Sequence, residues 1–303
     1  MKNILITGGS GLLATNWAQI ERSNYNITLG LHNRIIALEG VNIQNINLDS
    51  IEDFELDIIK VNPDIIIHTA ALSNVEQCEK NEHLANHINV KITENIAYLC
   101  KKYDIKLVHI STDHLFKGDQ SLLVETSSPS PLNVYARTKA EAEIKALTIC
   151  PNSLIIRTNF FGWGPIYKHS FSDTIIKTLN NGSIISLFND VFYTPILISE
   201  LVKIVHKLLE INESGIFHVF GKEKISKYDF GIKLANIFNL NSSLIKPISI
   251  KERIDLVKRP SDMSLANSRL ELLNLNNILS LDKQLYELKM SELLSIKNEL
   301  KII

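Results

Sequence analysis

The chain has 303 residues, of which 45% are hydrophobic and 21% are charged, a composition typical of a globular protein with a sizeable core. Its formal net charge of -1 argues against nucleic acid or a membrane surface as an obligate partner. No apolar run is long enough to span a bilayer, and the first residues do not resemble a signal peptide, so we expect a cytoplasmic protein. The three cysteines show no CxxC spacing and predict no metal site.

Apolar, strand-like runs alternate with helical patterns through the first half of the chain. Strands are predicted at residues 3–7, 27–31, 64–68, 106–110 and 153–157, and helices at residues 11–22, 50–61, 83–102 and 134–147. Buried strands separated by helices of this length predict a parallel sheet with right-handed crossovers, covered by helices on both faces. The predicted fold class is therefore α/β, with a doubly wound parallel sheet.

The pattern changes after about residue 160, where Gly162-Trp163-Gly164-Pro165 is a loop signal and the later elements become shorter. Helices are predicted at residues 171–179, 199–211 and 226–238, and a strand at residues 216–219. No linker or low-complexity tract separates the two halves. We therefore expect some later segments to complete the sheet and the others to form a small lobe over its carboxyl edge.

The first predicted strand runs directly into a glycine-rich turn. Gly8, Gly11 and Ala14 follow the spacing G-x-x-G-x-x-[G/A]. Glycine permits a tight turn and lets backbone N–H groups approach a pyrophosphate at the start of the following helix, while a small third residue allows close packing of helix on strand. A merely flexible loop is the alternative. The strand before the turn and the apolar helix after it favour a Rossmann-type dinucleotide site.

The end of the second predicted strand bears on the choice of cofactor. NAD-specific sites usually have an acid there that binds the ribose 2′-hydroxyl. This strand instead ends in His32-Asn33-Arg34, with no acid. A carboxylate would repel a 2′-phosphate, whereas Arg34 can pair with one, although a solvated loop arginine is the simpler interpretation. The pattern favours NADP(H) and leaves NAD(H) open.

A tyrosine and a lysine, Tyr135 and Lys139, are four residues apart and so lie on one face of a predicted helix. A free tyrosine has a pKa of about 10, and a nearby ammonium stabilises the phenolate and brings the pKa toward neutral pH. Ser111 and Thr112 follow the strand at residues 106–110, at the carboxyl edge where open parallel sheets bind ligands. One of these two hydroxyls can hold a substrate carbonyl while the tyrosine supplies a proton.

Four motifs occur in order along the chain: the glycine turn, His68-Thr69-Ala70-Ala71, Ser111-Thr112-Asp113-His114-Leu115-Phe116, and Pro131-Leu132-Asn133-Val134-Tyr135-Ala136-Arg137-Thr138-Lys139. Together they resemble the extended short-chain dehydrogenase/reductase family, and within it the dTDP-4-dehydrorhamnose reductase-like branch. The resemblance covers residues 1–160 well and is thinner beyond. It implies an NAD(P)-binding Rossmann domain at residues 1–160 and a mainly substrate-binding lobe at residues 161–303.

The resemblance also implies roles for individual residues. The implied catalytic residues are Thr112, Tyr135 and Lys139, with Ser111 as the alternative hydroxyl. The implied cofactor-binding residues are Gly8, Ser10, Gly11, Leu12, Leu13, His32, Arg34, Asp49, Ala70, Ala71, Tyr135 and Lys139. The implied substrate-binding residues are Ser73, Asp113, His114, Asn159 and Arg259. In this scheme Lys139 also binds the nicotinamide ribose and Asp49 lies near the adenine.

Two residues depart from the family pattern, His114 and Ala136, and Ala136 replaces the glycine usual after the tyrosine. His114 replaces the tyrosine usual after Ser-Thr-Asp in this branch, and it occupies the position of the glutamate that sugar-nucleotide dehydratases use to eliminate water. Dehydration is therefore disfavoured, and His114 either faces the substrate or fills a polar rim. Arg259 either meets a nucleotide phosphate or is an ordinary surface arginine.

The leading functional hypothesis is an NADPH-dependent reductase of the 4-keto group of a nucleotide-activated deoxysugar, serving surface polysaccharide synthesis. A second hypothesis is an epimerase of nucleotide sugars that retains NAD. A third is a noncatalytic regulatory subunit that has kept the Rossmann fold. The expected partner is a nucleotide sugar, and the resemblance is compatible with a homodimer.

Overall fold

The computed structural model describes residues 1–293 and 296–301; residues 294, 295, 302 and 303 of the predicted second lobe lie outside the described residues. The strands are β1 Asn3–Thr7, β2 Asn26–Leu31, β3 Asn42–Asn45, β4 Ile65–His68, β5 Lys106–Ile110, β6 Leu154–Arg157, β7 Phe160–Phe161, β8 Ile185–Phe188, β9 Phe192–Tyr193, β10 Ile196–Leu197, β11 Gly215–His218, β12 Ile225–Ser226 and β13 Ile245–Ile248. The helices are α1 Leu12–Glu21, α2 Ile51–Val61, α3 Val75–Lys80, α4 Glu82–Asn86, α5 Ile92–Lys102, α6 Val134–Ile149, α7 Phe171–Asn180, α8 Ile198–Glu210, α9 Lys227–Ile237, α10 Ser268–Leu272, α11 Leu281–Leu293 and α12 Ile296–Lys301.

Seven parallel strands form the central sheet, in the order β11-β6-β5-β4-β1-β2-β3. The inner strands are continuous apolar runs because both of their faces are buried; all four residues of β4, for example, are buried. The chain order reverses between β1 and β4. This is the switch point of a doubly wound sheet, where ligands bind outside the carboxyl ends of the strands. The predicted α/β fold class is confirmed.

Helices cover both faces of this sheet. On one face Trp17 of α1 and Leu201 of α8 pack with Ile4 and Ile6 of β1. On the other face the cluster is formed by α2, α5 and α6 against alternate strand residues, with Phe54, Ile96, Ala146, Leu5 and Ile66 among its members. Adjacent residues of β1 therefore point to opposite cores, as the period of a strand requires.

The predicted elements of the first half are present with boundaries that differ by a few residues, with three differences. Helix α3 at Val75–Lys80 was not predicted. Strand β3 was not predicted, because its residues, Asn42–Asn45, are polar and mostly exposed at the edge of the sheet. The helix predicted at residues 83–102 is divided into α4, a π-helical segment at His87–Lys91, and α5. The segment predicted as a strand at residues 216–219 is β11, which pairs with β6.

A smaller lobe lies beyond β6 and has its own apolar core. It is built from α7, α9 and α11 together with three two-stranded sheets, β7–β10, β8–β13 and β9–β12. Phe161, Tyr193 and Phe230 lie at its centre, with ring centroids of Tyr193 and Phe161 5.9 Å and 5.3 Å from that of Phe230. Among the described residues, no helix combines the length and apolar character that a membrane crossing needs.

Candidate active site

The glycine turn at the end of β1 forms a close-fitting backbone cradle. Gly8 has a φ of +68°, and a Cβ atom there would lie 2.9 Å from the Cα of Ala70, so only glycine fits without strain. The amide of Gly11 donates to the carbonyl of Gly8 at 2.7 Å and closes the turn. Gly11 is the N-cap of α1 and has no side chain to bond the first N–H groups of that helix. These groups suit an anion such as a pyrophosphate.

A cavity of about 580 Å³ adjoins the cradle. Its lining includes the predicted cofactor residues Gly8, Ser10, Gly11, His32, Arg34, Asp49, Ala70 and Ala71. The chain places these residues together because the loops after β1, β2, β3 and β4 all leave the sheet at the same carboxyl edge. The size and the backbone cradle fit the adenosine and pyrophosphate parts of a dinucleotide.

The basic side chain of Arg34 and the carboxylate of Asp49 line the same cavity. The guanidinium of Arg34 lies 4.0 Å from the ring centroid of Tyr167, whose hydroxyl donates to the carbonyl of Ser10 at 2.8 Å. No acid ends β2, but Asp49 reaches the same cavity from the segment after β3. Its carboxylate lies 2.8 Å from His87 Nε2 and 3.9 Å from His32 Nε2, so two imidazoles surround the acid.

A second cavity of about 230 Å³ continues from the first, and both are lined by Gly11, Thr69, Ala71 and Lys168. Its other lining residues are Leu12, Leu13, Ser73, Ile110, Ser111, Tyr135, Lys139 and Phe160. The structure thus brings the predicted tyrosine and lysine of α6 to the opening between the glycine turn and the second lobe. One continuous cleft runs from Arg34 to Tyr135.

The two candidate hydroxyls after β5 have different surroundings. The hydroxyl of Ser111 donates to Glu143 Oε1 at 2.5 Å and is held by that buried carboxylate. The side chain of Thr112 interacts with the phenol of Tyr135 and lowers the pKa of that phenol, while its hydroxyl donates to Asp113 Oδ1 at 3.3 Å. Thr112 also accepts from the amide of His114 at 3.2 Å, which orients its side chain. The interaction with the phenol favours Thr112 over Ser111 as the partner of Tyr135.

The expected effect of Lys139 on Tyr135 is absent from this arrangement. Burial, partly offset by the lowering from Thr112 and aided by the Asp113 carboxylate, raises the pKa of Tyr135 to about 12. The ammonium of Lys139 instead donates to the carbonyl of Ile110 at 2.7 Å and lies 3.0 Å from His109 Nε2. Burial lowers the pKa of Lys139 to about 8. Lys139 thus points to the sheet edge, because the carbonyl and imidazole there satisfy its donors.

Polar side chains surround Asp113, which follows Thr112 after β5 and lines neither cavity. Asn159 donates to Asp113 Oδ2 at 2.5 Å, and His114 Nε2 lies 4.0 Å from Asp113 Oδ1. The His114 ring packs edge-on against Tyr135, with centroids 5.7 Å apart, and burial lowers the pKa of His114. Lys227, at the start of α9, lies 3.2 Å from the ring centroid of Tyr193, and its charge interacts with Asp113. His114 therefore lies beside the predicted proton donor.

Arg259 lies near this cluster but is held by another residue. Its guanidinium forms an ion pair with Glu76 of α3, which joins the second lobe to the loop after β4. The charge of Arg259 also lowers the pKa of His114, which places the two side chains in the same neighbourhood. A nucleotide phosphate would compete with Glu76 for this arginine.

Several residues in and around the cleft were not predicted. Tyr167 and Lys168 lie in an irregular loop, and His87 lies on a helix. Lys227 and Tyr193 come from the second lobe, where the family resemblance is thinner. The pair of Glu143 and Arg157 is buried behind Ser111, and only a tertiary structure brings β6 and α6 together. The four-residue spacing of Glu143 from Lys139 was the one available signal.

The fold, the glycine cradle and the pairing of Thr112 with Tyr135 define an oxidoreductase of the extended short-chain dehydrogenase/reductase family. A family model described as RmlD substrate binding domain matches residues 1–292, so the chain belongs to the family that this model represents.

The chain is also similar to individual proteins and to a solved structure. It is 30% identical to a dTDP-4-dehydrorhamnose reductase from Aggregatibacter actinomycetemcomitans, over 90% of this chain and 91% of that protein. It is 27% identical to the methionine adenosyltransferase 2 subunit beta from Rattus norvegicus, over 90% of this chain and 83% of that protein. A crystal structure of a dTDP-4-dehydrorhamnose reductase from Bacillus anthracis in complex with NADP has a TM-score of 0.85 and 24% identity, and the match covers 96% of this chain and 99% of that one. The relatives include both a sugar-nucleotide reductase and a protein named as a subunit.

Proposed function

We propose that this chain reduces the 4-keto group of a nucleotide-activated deoxysugar with NADPH, as a step in surface polysaccharide biosynthesis in the cytoplasm. The observation that carries the proposal is the cleft itself. It joins a backbone cradle for a pyrophosphate to a tyrosine and a lysine at the carboxyl edge of the sheet, and Thr112 interacts with that tyrosine. The 30% identity with a dTDP-4-dehydrorhamnose reductase supports the sugar nucleotide as substrate.

Each of the proposed catalytic residues would have a separate role in the reduction. Thr112 donates a hydrogen bond to the substrate carbonyl and orients it toward Tyr135. Tyr135 gives its proton to the carbonyl oxygen as negative charge develops there. NADPH, when bound, supplies the hydride for the carbonyl carbon, so that the ketone gains one hydride and one proton and becomes an alcohol. Lys139 lines the same cavity as Tyr135 and would bind the nicotinamide ribose.

The adenosine end of the cleft supports NADPH over NADH. Arg34 lies over Tyr167 with its guanidinium at the cavity wall, where it can pair with a 2′-phosphate. His32 adds a second donor there. Asp49 opposes this preference, but His87 binds its carboxylate and reduces its repulsion of a phosphate. The B. anthracis reductase, solved with NADP, supports the same choice.

The substrate sugar would lie against Asp113, His114, Asn159 and Ser73, with residues 161–303 mainly forming the substrate lobe and residues 1–160 the cofactor domain. Since β11 at residues 215–218 belongs to the central sheet, the second segment also contributes to the Rossmann core. The aspartate, held by Asn159, can accept from sugar hydroxyls.

The decisive experiment follows NADPH oxidation by absorbance against a panel of 4-keto-6-deoxy sugar nucleotides. Tyr135→Phe removes the proton donor and should lower turnover by about 100-fold or more, while NADPH affinity changes little. Tyr98→Phe is the matched control, because Tyr98 is an exposed tyrosine of α5 that lines neither cavity. Wild-type turnover in Tyr135→Phe would contradict the mechanism.

A second candidate function is a noncatalytic subunit, which the 27% identity with the methionine adenosyltransferase 2 subunit beta favours. An inactive wild-type protein that still binds NADPH would support it. A purified protein with tightly bound NAD and no net NADPH oxidation would instead support an epimerase.

A further inference from the structure

Behind Lys139 lies a buried imidazole that the proposed mechanism does not use. His109 is the fourth residue of β5 and is 1% exposed. Its Nε2 atom is 3.0 Å from the Lys139 ammonium nitrogen, which also donates to the carbonyl of Ile110 at 2.7 Å. Strand β5 therefore provides Lys139 with two acceptors, one from its backbone and one from a side chain.

We propose that His109 is a positioning residue that stays neutral and, through Nε2, accepts a hydrogen bond that holds the Lys139 ammonium at the edge of the sheet. The inference rests on the proposed function only in that Lys139 serves the reaction there. An ammonium has three donors and no acceptor, so Nε2 must present its lone pair and the proton of the imidazole must lie on Nδ1. The contact thereby selects one tautomer of His109.

The surroundings keep this imidazole uncharged. Burial lowers the pKa of His109 well below its ordinary value, and the charges of Lys139 and His68 lower it further. The ring of His68, at the end of β4, has its centroid 5.3 Å from that of His109 and is itself held by Thr7 and Thr93. A proton on His109 would place two like charges 3.0 Å apart in a buried site.

The other charged groups around Lys139 come from α6 and β6. Glu143 lies one helical turn beyond Lys139 and raises its pKa, against the lowering by burial. Its carboxylate already accepts hydrogen bonds from Arg157 and Ser111, which stabilise its negative charge. Tyr135 lies one turn before Lys139 and is neutral at ordinary pH, because burial raises its pKa. His109 is thus the neutral acceptor that keeps Lys139 protonated without adding a negative charge.

The inference predicts a measurable change in the titration of Lys139. An acceptor lost from a buried ammonium should lower its pKa by about 1 to 2 units. In the reductase, the alkaline limit of kcat/KM should move to lower pH by the same amount, because the proposed scheme needs a charged Lys139 to bind the nicotinamide ribose. A purely structural role for His109 would reduce activity at all pH values without moving this limit.

The experiment compares two amides at position 109 of the full chain. His109→Gln places its terminal oxygen near the position of Nε2, where it can accept from Lys139. His109→Asn is one methylene shorter and places its amide near Nδ1, out of reach. Lysine ¹³Cε signals are followed by NMR from about pH 5 to pH 11, with Lys139 assigned from Lys139→Met. This readout needs no turnover, so it remains informative if the proposed reductase activity fails.

We expect the pKa of Lys139 to fall in His109→Asn and to be largely restored in His109→Gln. His68→Gln is the control, because His68 packs near His109 while its two ring nitrogens bond Thr7 and Thr93 rather than Lys139. An unchanged pKa in His109→Asn would overturn the inference. Equal shifts in His109→Asn, His109→Gln and His68→Gln would also overturn it, because they would reflect disturbed packing. If the His109→Asn variant does not fold, the His109→Gln variant decides alone. A pKa of Lys139 that stays below the wild-type value in His109→Gln is sufficient to reject the role of Nε2.

Discussion

The ion pair of Arg157 and Glu143 gives the sharpest test of how the site is supported. Arg157 Nε lies 3.0 Å and 3.2 Å from the two carboxylate oxygens of Glu143, and Nη2 lies 2.8 Å from Oε2. The side chains are 2% and 3% exposed. Arg157 Nη1 also donates to His218 Nε2 at 3.2 Å. The arginine therefore joins α6 to β11 and holds the carboxylate that fixes Ser111.

Replacement of Arg157 by methionine keeps most of the volume and removes the charge. Glu143 is then left buried with the Ser111 hydroxyl but without its cation, and breaking a buried pair in this way costs about 3–5 kcal/mol. The double variant Glu143→Leu/Arg157→Met removes both charges. It should recover about 2 kcal/mol of that loss, because an apolar pair needs no compensation, while Ser111 and His218 each lose one partner.

Urea unfolding followed by tryptophan fluorescence measures both variants, since Trp17 lies in the cofactor domain and Trp163 in the second lobe. Arg137→Met is the matched control, because its ion pair with Glu82 is exposed and should contribute less than about 1 kcal/mol. A loss below about 1 kcal/mol in Arg157→Met, or an equal loss in the double variant, would refute the reasoning.

Three further outcomes are expected. Arg34→Ala should weaken NADPH binding about 10-fold more than NADH binding by fluorescence titration, and equal effects would remove the 2′-phosphate role. Gly8→Ala should lower NADPH affinity and stability by more than Gly182→Ala, because both have a positive φ but only Gly8 has backbone within 2.9 Å of the added Cβ; equal losses would contradict a steric role. Stability should fall as the pH falls below about 6.5, because the folded pKa of His218 is about 3 and the unfolded chain takes up the proton first. In His218→Gln, the slope of the free energy of unfolding against pH should be shallower by up to about 1.4 kcal/mol per pH unit. Urea unfolding at several pH values measures this slope, and an unchanged slope would exclude the linkage.

The sequence alone was sufficient for the fold class, and it named most of the predicted cofactor residues that line one cavity. Strands β1, β4 and β5 are apolar on both faces, so their pattern does not depend on distant contacts. The glycine turn is a local backbone requirement, as the φ of Gly8 shows. The spacing of Tyr135 and Lys139 is a property of one helix. Strand β3 was not predictable in this way, because it is polar and is defined only by pairing with β2.

What the tertiary structure decided is how side chains from separate elements meet at the edge of the sheet. Ser111 and Thr112 are adjacent in sequence, and only the position of Glu143 behind one and Tyr135 beside the other distinguishes them. Lys139 was predicted to act on Tyr135, but its hydrogen bonds depend on where β5 ends relative to α6. Local sequence determines the period and the turns, whereas burial and hydrogen bonding across elements determine the charge states on which the chemistry depends.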